Sequence, residues 1–182
     1  MIFKETKLKG AYIIELKPLE DERGFFARSF CQKEFAEHGL NFSIVQCNLS
    51  YNKKKGTLRG MHYQIAPHEE AKLVSCIRGA IYDVIIDLRA DSSTYRQWFA
   101  VELTAGNYRM LYIPADFANG FQTLEDNTVV FYQISEFYHP EYARGVRWDD
   151  PAFGIDWPIK RSVVSSKDKS HKTVKVNIDG SQ

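Results

Sequence analysis

Apolar and polar positions change over in short runs through most of the chain. From residue 42 the runs read "FSIVQCNLSYN", "AKLVSCIRG", "AIYDVIIDLR", "WFAVELTAG", "RMLYIPAD" and "TVVFYQISEFY". Each is rich in β-branched and aromatic side chains and is bounded by Gly, Asp, Asn or Pro, which predicts strands joined by tight turns. A basic turn, "KKKG", leads into "TLRGMHYQ", another strand, with His62 in phase with Leu58 and Gly60. Ahead of these, "AYIIELKPLEDERGFFARSF" predicts two short strands around a polar turn at residues 20–23. "CQKEFAEHGL" is the one early helix, with Phe35 and Leu40 apolar and Gly39 as its stop. Strand and helix do not alternate, which disfavours a doubly wound sheet. The pattern predicts an all-β domain, a jelly roll or barrel with a few short helices, spanning 1–182 as one unit. A polar, Lys-rich tail from about residue 170 is expected to pack at first and to fray from about Lys172.

Composition narrows this. At 182 residues, 44% hydrophobic and 26% charged, the chain suits one domain with a sizeable core. Aromatics at 14% favour strands. A net charge of +1 excludes an overall field that would draw the protein onto nucleic acid or an anionic membrane. Cys31, Cys47 and Cys76 are widely spaced and odd in number, and read as reduced, mostly buried thiols of a cytoplasmic protein. The opening "MIFKETKLKGAYII" is too charged for a signal peptide, and no run approaches the roughly 18 apolar residues of a membrane span.

Three readings of His62 stand open on the residues alone: metal ligand, proton-transfer base, or core ring. A metal on such a barrel wants an HxH pair, but Tyr63 and Gln64 follow His62, and Asn119 stands where a later histidine would serve. His38, His68 and His139 are scattered among polar residues and read as exposed. One convergent histidine makes no metal site. Lys72 lies between Ala71 and Leu73, so it either snorkels outward or points into a polar pocket. Tyr132 sits in an apolar strand, and Asp168 in the polar "SSKDKS" near the C-terminus. Taken singly, each is more simply read as structural.

Eight motifs in order change that balance. "DERGFF", "QCNLSYN", "LRGMHYQ", "AKLVSCIRGAIYDVIIDLR", "YIPADFANGFQTL", "VFYQISEFY", "GVRWDDPAFGIDWP" and "SSKD" resemble the dTDP-4-dehydrorhamnose 3,5-epimerase family over residues 2 to 168. The resemblance implies a cupin-like double-stranded β-helix, a homodimer, and an epimerase acting without cofactor or metal on a nucleotide-diphosphate 4-keto-6-deoxy sugar. It implies His62 as base, Asp168 as the acid paired with it, Lys72 beside the keto oxygen and Tyr132 as acid on the opposite ring face. Arg59 and Arg23 match residues that hold the diphosphate, Arg23 reaching across the dimer. Phe26, Gln46, Asn48 and Tyr138 match positions that line the nucleotide and sugar pocket.

The chemistry explains these types. A proton next to a ketone leaves behind an enolate, whose oxygen charge a fixed cation stabilises. A histidine titrates near neutrality and suits the base, and a carboxylate on its far nitrogen fixes the tautomer. Inversion needs a donor on the other face. Two positions depart from the family: Asn119 replaces its usual histidine, and Arg28 stands where a glutamate is common. Both border the sugar pocket, so a single-centre epimerase of another nucleotide sugar, CDP- or GDP-linked, stays open. So does a non-catalytic sugar-binding jelly roll, although such a module has no need of His62, Asp168, Lys72 and Tyr132 together.

Overall fold

The structure, a computed structural model, describes residues 1–40, 42–160 and 162–174. The N-terminal part holds β1 (Ile2–Glu5), β2 (Tyr12–Glu15), β3 (Leu19–Asp21), β4 (Gly24–Phe26) and α1 (Gln32–Glu37). The central strands are β5 (Gln46–Asn52), β6 (Thr57–Gln64), β7 (Lys72–Arg78), β8 (Ala80–Asp87), β9 (Trp98–Thr104), β10 (Met110–Ile113), β11 (Phe117–Thr123) and β12 (Thr128–Ile134). The chain then forms β13 (Ala143–Gly145), β14 (Val163–Val164) and α2 (Ser166–Lys169).

Two six-stranded sheets result, ordered β1-β2-β10-β7-β12-β5 and β13-β6-β11-β8-β9, with β14 added parallel to β6. All other pairings are antiparallel. From β7 to β12 the chain passes back and forth between the sheets, so sequence neighbours such as β7 and β8 lie in different layers. The layers meet over Val74, Ile81, Ile85, Leu103, Leu111, Phe121 and Val130, which come from both sheets. The outer faces are also covered. Phe35 of α1 packs with Ile14, Phe42 and Tyr112 on the first sheet, while Phe153 and Trp157 pack with Leu58, Met61 and Ile86 on the second. Strands buried on both faces need no polar alternation, which explains continuous runs such as "AIYDVIID".

Several expectations are corrected here. Residues 11–30 form three strands, not two, because Lys17–Pro18 breaks the run before the β3–β4 hairpin. Ile2–Glu5 adds an edge strand to the first sheet, and Ser166–Lys169 adds a one-turn helix. The thiols are not mostly buried: Cys76 is, but Cys47 points outward from edge strand β5 and Cys31 is half-buried. The expected fraying from about Lys172 falls largely on residues 175–182, outside the described residues.

Candidate active site

A cleft of about 750 Å³ opens between the two sheets, a volume typical of small-molecule sites. Gln46, Asn48, Arg59, His62, Lys72, Asn119, Tyr132, Tyr138 and Asp168 all line it. His62 and Asn119 stand on the second sheet; Lys72, Tyr132, Gln46 and Asn48 stand on the first. Residues from both layers therefore reach one space.

A bulge in β6 aims His62. Asn119 pairs with His62 and Phe121 with Arg59, so one residue of β11 between those pairs faces two of β6. The phase expected from the sequence is corrected accordingly: Leu58 and Met61 pack into the outer layer, while Arg59 and His62 both line the cleft. Gly60 makes the bulge feasible. Its φ is +132°, and a Cβ there would lie 2.9 Å from the Asn119 carbonyl oxygen.

Asp168 reaches His62 from α2. The Ser165 hydroxyl caps this turn by accepting the Asp168 backbone N–H at 3.0 Å. The Asp168 Oδ1 then sits 2.7 Å from His62 Nε2. Burial opposes ionisation of Asp168, but the hydrogen bonds from His62 and Ser165 and the His62 charge outweigh it, leaving its pKa below the usual value. With Nε2 committed to a carboxylate, Nδ1 is the ring nitrogen left to take a proton.

Lys72 does not snorkel outward. It is buried, 2.9 Å from Glu70 Oε1, and donates to the His62 carbonyl at 3.3 Å. Tyr132 faces the cleft from the other sheet. Burial and the Glu70 charge raise its pKa against a lowering by Arg59, so the phenol keeps its proton. Arg59 is steadied by Asn52, whose Oδ1 accepts from its Nε at 2.7 Å. At the rim, buried Gln64 ties the loop after β12 to β6: it donates to the Phe137 carbonyl and accepts the His139 N–H. Tyr138 on that loop is exposed, and its N–H donates to Gln46 Oε1 at 3.3 Å.

Asn119 donates to Asp83 Oδ1 at 2.8 Å and to the Val84 carbonyl at 3.2 Å. Asp83 is fully buried, and burial pushes its pKa up to about 7 against the pull of Asn119 and Lys72.

Three expected residues stand away from the cleft in the single chain. Arg23 pairs with Asp21, Phe26 is 74% exposed, and Arg28 pairs with Glu34 at 2.7 Å. The histidine count also needs correcting. His68 and His139 are half-buried and stacked at 3.6 Å, and His62 is not alone among inward histidines. His171 Nε2 lies 3.9 Å from the same Asp168 oxygen. The sequence reading passed over Glu70, Asn52, Asp83 and His171. Only His171 carried a local signal, its spacing of three from Asp168, which on a helical turn places two side chains together.

The family model described as dTDP-4-dehydrorhamnose 3,5-epimerase matches residues 5–175. The chain belongs to this family. A dTDP-4-dehydrorhamnose 3,5-epimerase of Methanothermobacter thermautotrophicus is 44% identical over 178 residues, covering 96% of this chain and 95% of its own. The crystal structure of the Bacillus anthracis enzyme of that name, with TDP and PPi bound, is 40% identical. It has a TM-score of 0.92 and covers 95% of this chain and 99% of its own. The Legionella pneumophila dTDP-6-deoxy-D-glucose-3,5-epimerase, in complex with dTDP-4-keto-L-rhamnose, is 38% identical. Its TM-score is 0.88, with 94% and 92% coverage. The fold is thus the cupin-like jelly roll of this epimerase family. No helix among the described residues is long and apolar enough to cross a membrane.

Proposed function

We propose that the protein is a dTDP-4-dehydrorhamnose 3,5-epimerase, an isomerase of a dTDP-linked 4-keto-6-deoxy sugar, and that His62 and Tyr132 exchange the proton across the ring. The carrying observation is that His62, backed by Asp168, and Tyr132 line one cleft from opposite sheets. A sugar ring lying between the layers meets a base on one face and an acid on the other.

His62 Nδ1 takes the proton from the carbon beside the ketone, and the bond electrons pass to the keto oxygen. The imidazolium so formed is stabilised by the Asp168 carboxylate, which stays ionised because its pKa is held down. Lys72 supplies positive charge beside the enolate; its own charge is balanced by Glu70, so the resting site does not hold a lone buried cation. Tyr132 returns a proton from the opposite side, inverting the carbon. Bonds to hydrogen are broken and remade with no net oxidation, so the reaction asks for no redox partner.

Arg59, fixed by Asn52, is assigned to the diphosphate, and Gln46, Asn48 and the exposed Tyr138 to the nucleoside end. Arg23, Phe26 and Arg28 are assigned to a neighbouring site in a homodimer. The exposed apolar side chains of the β3–β4 hairpin and edge strand β5, among them Leu19, Phe26, Leu49 and Tyr51, support such a partner. A cytoplasmic location is part of the same proposal. Asn119 favours a second reading: an amide cannot relay a proton, so one centre is inverted faster than the other.

The test is incubation in D2O with dTDP-4-keto-6-deoxyglucose and its CDP- and GDP-linked counterparts, with deuterium read at C3 and C5 by NMR. Inversion with solvent deuterium at both centres of the dTDP sugar supports the main reading. Binding without exchange on any sugar refutes it in favour of a non-catalytic module.

A further inference from the structure

His171 has no task in the reaction above, yet its ring is turned into the catalytic dyad. Its Nε2 is buried with no hydrogen-bond partner among the described residues and lies 3.9 Å from Asp168 Oδ1, the atom that His62 Nε2 approaches at 2.7 Å. All three ligand-type atoms lie within 4.8 Å of one another. Gly145 leaves the room for this ring, since a Cβ there would collide with it.

We propose that His62, Asp168 and His171 form a binding site for a divalent transition-metal ion of the Zn2+ type, and that an ion held there switches off the epimerase. The binding half stands on the geometry alone; the inhibition half rests on the catalytic role of His62.

The geometry suits a small tetrahedral ion. Ligands about 2.1 Å from Zn2+ stand about 3.4 Å apart at tetrahedral angles. One gap therefore opens by about 0.7 Å from 2.7 Å and the other closes by about 0.5 Å from 3.9 Å. The two imidazole planes cross at 71°, so in-plane lone pairs can converge on one point. The other histidine cluster, His68, Glu136 and His139, differs in this respect. Its rings stack at 3.6 Å and 22°, so their lone pairs run side by side. Imidazole ligates a metal in its neutral form. Two imidazoles and a carboxylate select Zn2+, Cu2+ or Ni2+ over Mg2+. All three residues line the cleft, so solvent has access to the ion they would hold.

Inhibition follows from the tautomer. In the dyad, His62 donates its one N–H from Nε2 and keeps its lone pair on Nδ1. An ion bound to Nε2 moves that proton to Nδ1, with nothing oxidised or reduced. The nitrogen that takes the substrate proton then has no lone pair to take it with.

The test begins with chelator-treated wild-type protein titrated with Zn2+ against a fluorescent zinc indicator. One ion per chain is expected, with turnover falling as the site fills and returning with EDTA, and with no effect of Mg2+. His171→Ala should retain metal-free turnover while binding Zn2+ at least about tenfold more weakly, since even outer-sphere losses cost that much. His171→Gln gives the same reading if the alanine variant does not fold. His68→Ala should bind as wild type does. Zn2+ binding and inhibition unchanged in both His171 variants, or no binding by the wild type, overturns the proposal. Absence of turnover on every sugar would refute the epimerase reading, and the indicator titration would still decide the metal site.

Discussion

The side-chain amide of Asn119 donates to Asp83 Oδ1 at 2.8 Å, placing a neutral group over a fully buried carboxyl. The second oxygen, Oδ2, has no partner among the described residues. Burial raises the Asp83 pKa from 3.8 to about 7. Between those values the folded chain holds a proton that the unfolded chain has released. Stability therefore falls as pH rises through this window, and the whole penalty is present above about pH 7. Asp83→Asn removes it. Thermal melts should show the variant gaining on the wild type between pH 5 and pH 8; parallel curves would contradict the assignment.

His62→Ala should melt near the wild-type temperature, because the side chain is 42% exposed and its loss opens no core cavity. Turnover should drop by about 10²–10⁴, the range for a positioned acid–base group. A folded variant with wild-type rates would remove His62 from the mechanism.

Gly60→Ala should damage both stability and rate. A side chain is strained at φ +132°, a cost of roughly 1–3 kcal/mol, and it also meets the β11 backbone. Relief requires the bulge to shift, which carries His62 with it. Circular dichroism with steady-state kinetics separates the two effects. Unchanged kcat in a folded variant would show that the bulge does not set the aim of the base.

Local signals made most strands legible, since β-branched runs bounded by Gly, Pro and Asn form strands wherever they end up in the fold. They could not reveal the β6 bulge, because it exists only in the register of β6 against another strand, β11. Nor could they join His62 to Asp168, which lie 106 residues apart; that pairing came only through the motif resemblance. Glu70 and Asn52 carry no local signal of their own, and only the fold brings them to Lys72 and Arg59. Arg23, Phe26 and Arg28 stand outside the cleft of the single chain; on the proposed homodimer their placing would depend on a second copy, which a single chain's pattern cannot supply.

Light scattering should give about twice the 21.0 kDa chain mass. Leu49 is 66% exposed on an edge strand, and burying it against a second copy accounts for an apolar side chain there. Leu49→Asp should shift the protein toward a single-chain mass by placing an unpaired charge in that contact. A wild-type monomer with full activity at high dilution would refute the shared site.

Tyr132 and Asn119 divide the stereochemical question between them. If Tyr132 returns the proton, Tyr132→Phe leaves His62 able to remove it and give it back on the same face. Solvent deuterium should then still enter C3 or C5 while inverted product falls by about 10²-fold or more, the usual cost of losing a positioned acid. Equal loss of exchange and inversion would mean that Tyr132 serves binding instead. Asn119 tests whether both centres are served alike. Its amide is held by Asp83 and the Val84 carbonyl, and it cannot pass a proton on. If a relay there matters, one centre should invert much faster, and Asn119→His, which sets an imidazole over the same carboxyl, should speed the slower one. Comparable rates at C3 and C5 in the wild type would show that hydrogen bonding by Asn119 is sufficient. The full set of His62, Asp168, Lys72 and Tyr132 around one cleft favours inversion of both centres, because the second inversion repeats the first chemistry on a carbon that flanks the same ketone.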